Sequence, residues 1–197
     1  MIIQGWQSFQ KITQNFVLTF SQFFNIIVTM IKNWLSFIIK ACKRAERICI
    51  MGVGNKKRGD DAIGFLTTIM IMAQLKRYHK NLIFINSGEV PENFTGEIRK
   101  FQPTLTIIID ACISGNKPGT IYIVDPGKIQ ENDFSTHRMP LSMLVKFLET
   151  TIPTKVIILG IEPKNLNFKD DISPEVKKAI DKLVASMVKV LNEWQKR

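Results

Sequence analysis

Cysteine is scarce in this sequence, and none of it is paired by spacing. The three residues Cys42, Cys49 and Cys112 form no CxxC pair, so neither a disulfide framework nor a zinc ribbon is suggested, and a reducing cytoplasm is the simpler setting. There is no internal repeat and no low-complexity tract. Residues 1–45 contain no acid at all, only Lys11, Lys32, Lys40, Lys43 and Arg44 as charges. Of 27 lysines and arginines this leaves 22 in the body against 17 acids, a mild and scattered excess. No basic stripe interleaved with aromatics appears, which argues against nucleic-acid binding. A secretory signal also fits poorly, because only Lys11 precedes the apolar run closely and no small-residue cleavage site follows it.

What remains is 197 residues, 45% of them hydrophobic, enough for one domain with its own core and a short appendage. The appendage is residues 1–45 and the domain residues 46–197. Residues 6–39 read as a long amphipathic helix. Phe9, Ile12, Phe16, Phe20, Phe23, Ile27, Ile31, Trp34 and Ile38 recur at steps of three and four, opposite a polar row that includes Asn15, Thr19, Gln22 and Thr29. Lys11 to Lys32 encloses an uncharged stretch about as long as a membrane span, but the polar row inside it argues against spanning. The sequence therefore predicts a peripheral helix, lying on a membrane or docked on a partner, with packing on its own domain as the alternative. Lys40, Lys43, Arg44 and Arg47 favour an anionic surface.

The body alternates apolar runs with helical patterns. Strands are predicted at 47–53, 82–85, 105–110, 120–124 and 155–160. Helices are predicted at 60–78, 93–101 and 141–150, followed by a closing helix capped by Ser173 with Pro174 at its first turn. Such alternation implies an α/β fold, a largely parallel sheet covered on both faces.

Ligands of such sheets bind beyond the carboxyl ends of the strands, so the strand tips are where chemistry is expected. The first tip, Gly52-Val53-Gly54-Asn55-Lys56-Lys57-Arg58-Gly59-Asp60-Asp61, departs from a dinucleotide loop. Lys57 stands where a third glycine would be needed, and two carboxylates occupy the helix start where a pyrophosphate would sit. The third strand ends in Asp110, a carboxylate at the end of an apolar run that needs pairing, solvent or an ion. Beyond the fourth strand lies His137. The other histidine, His79, sits among basic residues at a helix end and reads as solvated. If strands one and three are neighbours, two acids and one imidazole converge on an open site suited to nickel or zinc, able to polarise a carbonyl or activate water. Glu89 and Glu92 are candidates to line the groove. A thiol mechanism, with Cys112 as nucleophile and His137 as base, is the competing enzyme reading.

The segments GVGNKKRGDDAIG (52–64), GEVPENFTGEIRK (88–100), DACISGNKPGTIYIVDP (110–126), STHRMPL (135–141) and LGIEPK (159–164) resemble, in order and spacing, the hydrogenase maturation protease family. The THRMPL form is most similar to the branch serving multi-subunit, energy-converting hydrogenases. The resemblance implies a three-layer α/β/α fold with a mostly parallel five-stranded sheet. It also implies a cytoplasmic endopeptidase that removes the C-terminal tail of a nickel–iron hydrogenase large-subunit precursor after nickel insertion. The family's nickel-contacting positions correspond to Asp61, Asp110 and His137, with the metal either resident or the substrate's own nickel, and with Asp60 as a helix cap beside them. A non-cleaving nickel-dependent scaffold or metallochaperone for the same large subunit is the alternative.

Overall fold

The computed structural model describes residues 34–77, 79–125 and 141–196. Residues 6–33 of the helix expected over 6–39, and the expected site residue His137, lie outside the described residues.

Chain order among the described residues is α1 (Trp34–Arg44), β1 (Ile48–Val53), a 3-10 turn (Gly59–Ala62), α2 (Ile63–Gln74), β2 (Leu82–Gly88), a second 3-10 turn (Pro91–Phe94), α3 (Thr95–Phe101), β3 (Leu105–Ala111), β4 (Ile121–Val124), α4 (Leu141–Thr151), β5 (Lys155–Ile161) and α5 (Pro174–Trp194). The five strands form one sheet in the order β2-β1-β3-β5-β4. β1 pairs in parallel with β2 and β3, β3 in parallel with β5, and only the edge strand β4 runs antiparallel. This is the mostly parallel five-stranded sheet that the alternation and the resemblance imply.

Two apolar cores cover the two faces, because neighbouring side chains on a strand point to opposite sides. Ile48, Ile50, Ile107 and Ile109 face α1, α2 and α5, meeting Trp34, Ile38, Ile63, Ile71, Ile180, Leu183 and Met187. Cys49, Met51, Val53, Ile108 and Ile158 face α3 and α4, meeting Ile98, Leu141, Leu144 and Leu148. The central strands β1 and β3 are buried along their whole length, which is why they read as unbroken apolar runs. The stripe predicted from Phe9 onward ends in Trp34 and Ile38, and these two, with Cys42, are the buried face of α1. Trp194 near the end of α5 donates its indole N–H to the Ala45 carbonyl at 2.8 Å, tying the chain's last helix to the exit of α1.

Several boundaries differ from the expectation for local reasons. The helix expected from Asp60 starts as a 3-10 turn and becomes α-helical only at Ile63. Ser173 stands at the N-cap of α5, but its hydroxyl does not cap that helix; it donates to Asp60 instead, at 2.9 Å. His79 is half-buried rather than solvated. Its Nδ1 accepts the Asn81 N–H at 3.2 Å, and its ring meets Trp194 edge-on, centroids 5.4 Å apart.

The start of α2 rests directly on strand backbone. A Cβ at Gly64 would stand 2.2 Å from the Val53 carbonyl oxygen and 2.3 Å from that of Ile109, and one at Gly52 would stand 2.2 Å from the Gly64 oxygen. Real Cβ atoms do not approach so closely, so only glycine at both positions lets α2 sit over the crevice between β1 and β3. Gly64→Ala is expected to lower the unfolding free energy by about 3 kcal/mol, because rigid backbone must be pried apart. Gly96→Ala, at a helical position with open space around it, is expected to be neutral or stabilising by roughly 0.5–1 kcal/mol. Urea denaturation of both variants checks the contrast.

Candidate active site

In the order β2-β1-β3 the chain leaves β1 to one side for β2 and returns on the other for β3. The crevice between the tips of β1 and β3 is therefore a topological switch point, where open α/β sheets bind ligands. The sequence reading required β1 and β3 to be neighbours, and they are: Gly52 pairs with Ile109, one residue before Asp110.

Asp61 comes to this crevice on the 3-10 turn, which lies against β3. It is 1% exposed. The Asn55 N–H donates to its Oδ2 at 2.8 Å, folding the loop after β1 back over it. Gly54 has φ +122°, and a Cβ there would fall 1.9 Å from the Asp61 carbonyl oxygen; no other residue lets this loop lie so close. Asp110, also 1% exposed, accepts the Ala111 N–H on Oδ1 at 2.8 Å. By alternation along β3 it shares the sheet face of Ile108, the face covered by α4. Among the described residues no three histidine, cysteine, aspartate or glutamate side chains gather to hold a metal ion. Asp61 and Asp110 are thus the described part of the predicted triad.

Asp60 does something different from its neighbour, and different from the helix cap expected of it. Neither the 3-10 turn nor α2 has a side-chain cap. The fully buried Asp60 carboxylate instead gathers donors more than a hundred residues away. Oδ2 accepts the N–H groups of Lys164 and Asn165 at 2.8 and 2.9 Å and the Ser173 hydroxyl at 2.9 Å, and Oδ1 accepts the Ser173 N–H at 2.7 Å. The Asp60 N–H in turn donates to the Asn165 carbonyl at 2.9 Å. Asp60 therefore pins the turn that carries Asp61 to the loop between β5 and α5.

A second anchoring carboxylate, Glu162, had no role in the sequence reading. It follows β5, is 4% exposed, and accepts the Ser114 N–H at 3.0 and 3.1 Å, the Ser114 hydroxyl at 2.7 Å and the Gly115 N–H at 3.1 Å. It holds the loop that follows Asp110. The signal was present: Glu162 ends an apolar strand just as Asp110 does, and the same argument about buried carboxylates applied to both. Glu89 and Glu92 lie half-exposed at the tip of β2.

Cys112 sits beside this loop, its carbonyl accepting the Tyr122 hydroxyl at 2.6 Å. Burial, reinforced by the charges of Asp110 and Glu162, pushes its thiol well above the ordinary range. A thiolate nucleophile needs the opposite environment.

The profile of the hydrogenase maturation protease family matches residues 69–190. The chain belongs to that family. The matched span includes Asp110 and His137 and begins after Asp61. A Methanocaldococcus jannaschii protein named for the same family is 38% identical over 165 residues, covering 79% of this chain and 95% of its own length. The Escherichia coli K12 hydrogenase 3 maturation protease is 37% identical over 133 residues, covering 67% and 83%. A solved structure of a NiFe hydrogenase maturation protease from Thermococcus kodakarensis superposes with a TM-score of 0.72 at 28% identity, over 79% of this chain and 98% of that one. As a hydrogenase maturation protease the chain is an endopeptidase, which places its chemistry in peptide hydrolysis.

Asp60→Asn is expected to destabilise the fold by about 2–4 kcal/mol in urea denaturation. Hydrogen bonds to a charged acceptor contribute roughly 1.5–3 kcal/mol each, and an amide cannot accept on both of its atoms. For Cys112 the raised pKa means a neutral thiol near neutrality. Alkylation of the native protein, read by mass spectrometry, is expected to be at least about tenfold slower than that of a free thiol and to rise only as the pH passes well above the usual thiol range.

Proposed function

We propose that this endopeptidase removes the C-terminal tail of a nickel–iron hydrogenase large-subunit precursor after nickel insertion, with Asp61, Asp110 and His137 forming the site. The observation that supports this reading is a pair of almost fully buried carboxylates, Asp61 on the 3-10 turn after β1 and Asp110 at the end of β3, with β1 and β3 neighbours at the switch point. Buried carboxylates are retained where a cation or a reacting group meets them. Leu141, the first residue of α4, is buried in the same apolar cluster as Val53 and Ile108, on the face of the sheet to which Asp110 belongs.

The carboxylates fit a hard or borderline divalent cation, and with His137 they make the mixed oxygen and nitrogen set that nickel accepts. An ion held there would polarise the scissile carbonyl. On this reading the nickel is the substrate's own, and contact with it reports that the precursor is loaded. One of the two aspartates takes a proton from the attacking water; Asp60 holds the turn that carries Asp61, and Glu162 holds the loop that follows Asp110. The enzyme works in the cytoplasm, with residues 6–39 providing a peripheral hold on a membrane surface or a partner.

Incubation of the protein with nickel-loaded precursor is expected to give a mass loss equal to the tail, and none with nickel-free precursor. Asp61→Asn, Asp110→Asn and His137→Ala are each expected to slow processing about 10²–10⁴-fold, while Cys112→Ala stays within severalfold of wild type. Stable co-elution with loaded precursor but no mass loss would mark a scaffold. Wild-type processing by Asp61→Asn would remove the carboxylate mechanism.

A further inference from the structure

Three loops meet at the carboxyl edge of the sheet, and buried carboxylates bolt them together. Asp60 ties the turn after β1 to the loop between β5 and α5, and Glu162 ties the end of β5 to the loop after β3. Other bonds reinforce the first joint. The Lys169 N–H donates to the Lys57 carbonyl at 2.7 Å, and the Arg58 Nε–H to the Leu166 carbonyl at 3.3 Å. A loop fixed in this way is expected to turn its apolar side chains inward. Leu166 and Ile172 do so and pack against the core. Phe168, between them, is 58% exposed, and Ile113, on the loop beyond Asp110, is 37% exposed. The backbone enforces the outward turn of the first. Lys169 takes φ +67°, a conformation that costs a lysine energy and persists only where its surroundings hold it.

We propose that Phe168 and Ile113 are the apolar contacts by which the enzyme seats the precursor chain across the crevice. This role rests on the tail removal proposed above, and it names what the substrate must offer: apolar side chains close to the cleaved bond. Both residues stand within reach of that bond. The Lys57 N–H donates to Asn55 Oδ1 and the Asn55 N–H to Asp61 Oδ2, each at 2.8 Å. Phe168 is therefore within about 20 Å of Asp61, six residues of extended chain. Ile113 follows Asp110 by three residues. Side chains held out on ordered loops lose little freedom when a partner covers them, so the area they bury goes into affinity. The charges around Phe168 nearly cancel. Lys164 is paired with Glu175 at 2.8 Å, Asp170 accepts from the side-chain amides of Asn165 and Asn167, and the exposed Lys57 and Lys169 stand beside Asp170 and Asp171. Apolar contact, not net charge, is what this edge of the sheet presents.

Steady-state processing of nickel-loaded precursor, measured alongside direct binding of the loaded and nickel-free forms, tests this. Phe168→Ala and Ile113→Ala are each expected to raise KM about five- to tenfold and to weaken binding to match, with kcat within about twofold and thermal unfolding unchanged. Phe168→Leu and Ile113→Val are expected to recover most of the loss. Phe37→Ala is expected to change nothing, although Phe37 is 38% exposed, because it lies on α1 beside Lys155 at the opposite edge of the sheet. Salt is expected to shift binding by less than about twofold. KM indifferent to both alanine variants, an effect confined to kcat, an equal effect of Phe37→Ala, binding lost at high salt, or no binding of either precursor form would overturn the proposal. Precursor that binds through Phe168 and is never cut would instead remove the proposed reaction and leave the contact standing.

Discussion

Gly64 presses so closely on the carbonyl oxygens of Val53 and Ile109 that no side chain fits between them. That contact fixes where α2 begins, and three residues earlier it fixes where Asp61 stands. The 3-10 turn is the consequence. A helix seated this low cannot continue backward as α-helix through the strand tips, so residues Gly59–Ala62 tighten and bring their two aspartates inward. Both carboxylates become buried where an ordinary first helical turn would have left them in water.

Once buried, the two neighbours divide the work by what surrounds them. Asp60 meets four donors from the loop after β5 and the start of α5, a set dense enough to hold a charge without solvent. Asp61 receives the Asn55 N–H and faces the crevice beside β3. Glu162 repeats the Asp60 arrangement on the other side, binding the loop beyond Asp110. The crevice is thus framed by two carboxylates used as internal anchors and by the two proposed for the site. Anchors of this kind give the segments they hold the rigid support that positioning requires.

Much of this was legible because burial writes itself into sequence. β1, β3 and β5 are isoleucine-rich runs, and the stripe of α5 is spaced for one helix face, so the order of elements and the parallel sheet followed from pattern. Asp110 stood out because an acid at the end of an apolar run needs a reason, and Asp61 through the paired carboxylates at a helix start and the family resemblance. What sequence could not carry was the identity of long-range donors. Ser173 has every local mark of a helix cap, and nothing nearby reveals that its hydroxyl serves Asp60, 113 residues away. His79 looked solvated among lysines and an arginine because its partner, Trp194, comes from the other end of the chain. Glu162 was legible in principle, since the rule that singled out Asp110 also covers it.

α5 links the supports of the site to the rest of the fold. Its N-cap residue Ser173 is bonded to Asp60, and its last turn holds the exit of α1 through Trp194. A long helix packed along its length by Val176, Ile180, Leu183, Met187 and Leu191 is a stiff strut, so the turn that carries Asp61 is braced against the core of the domain and does not depend on local hydrogen bonds alone.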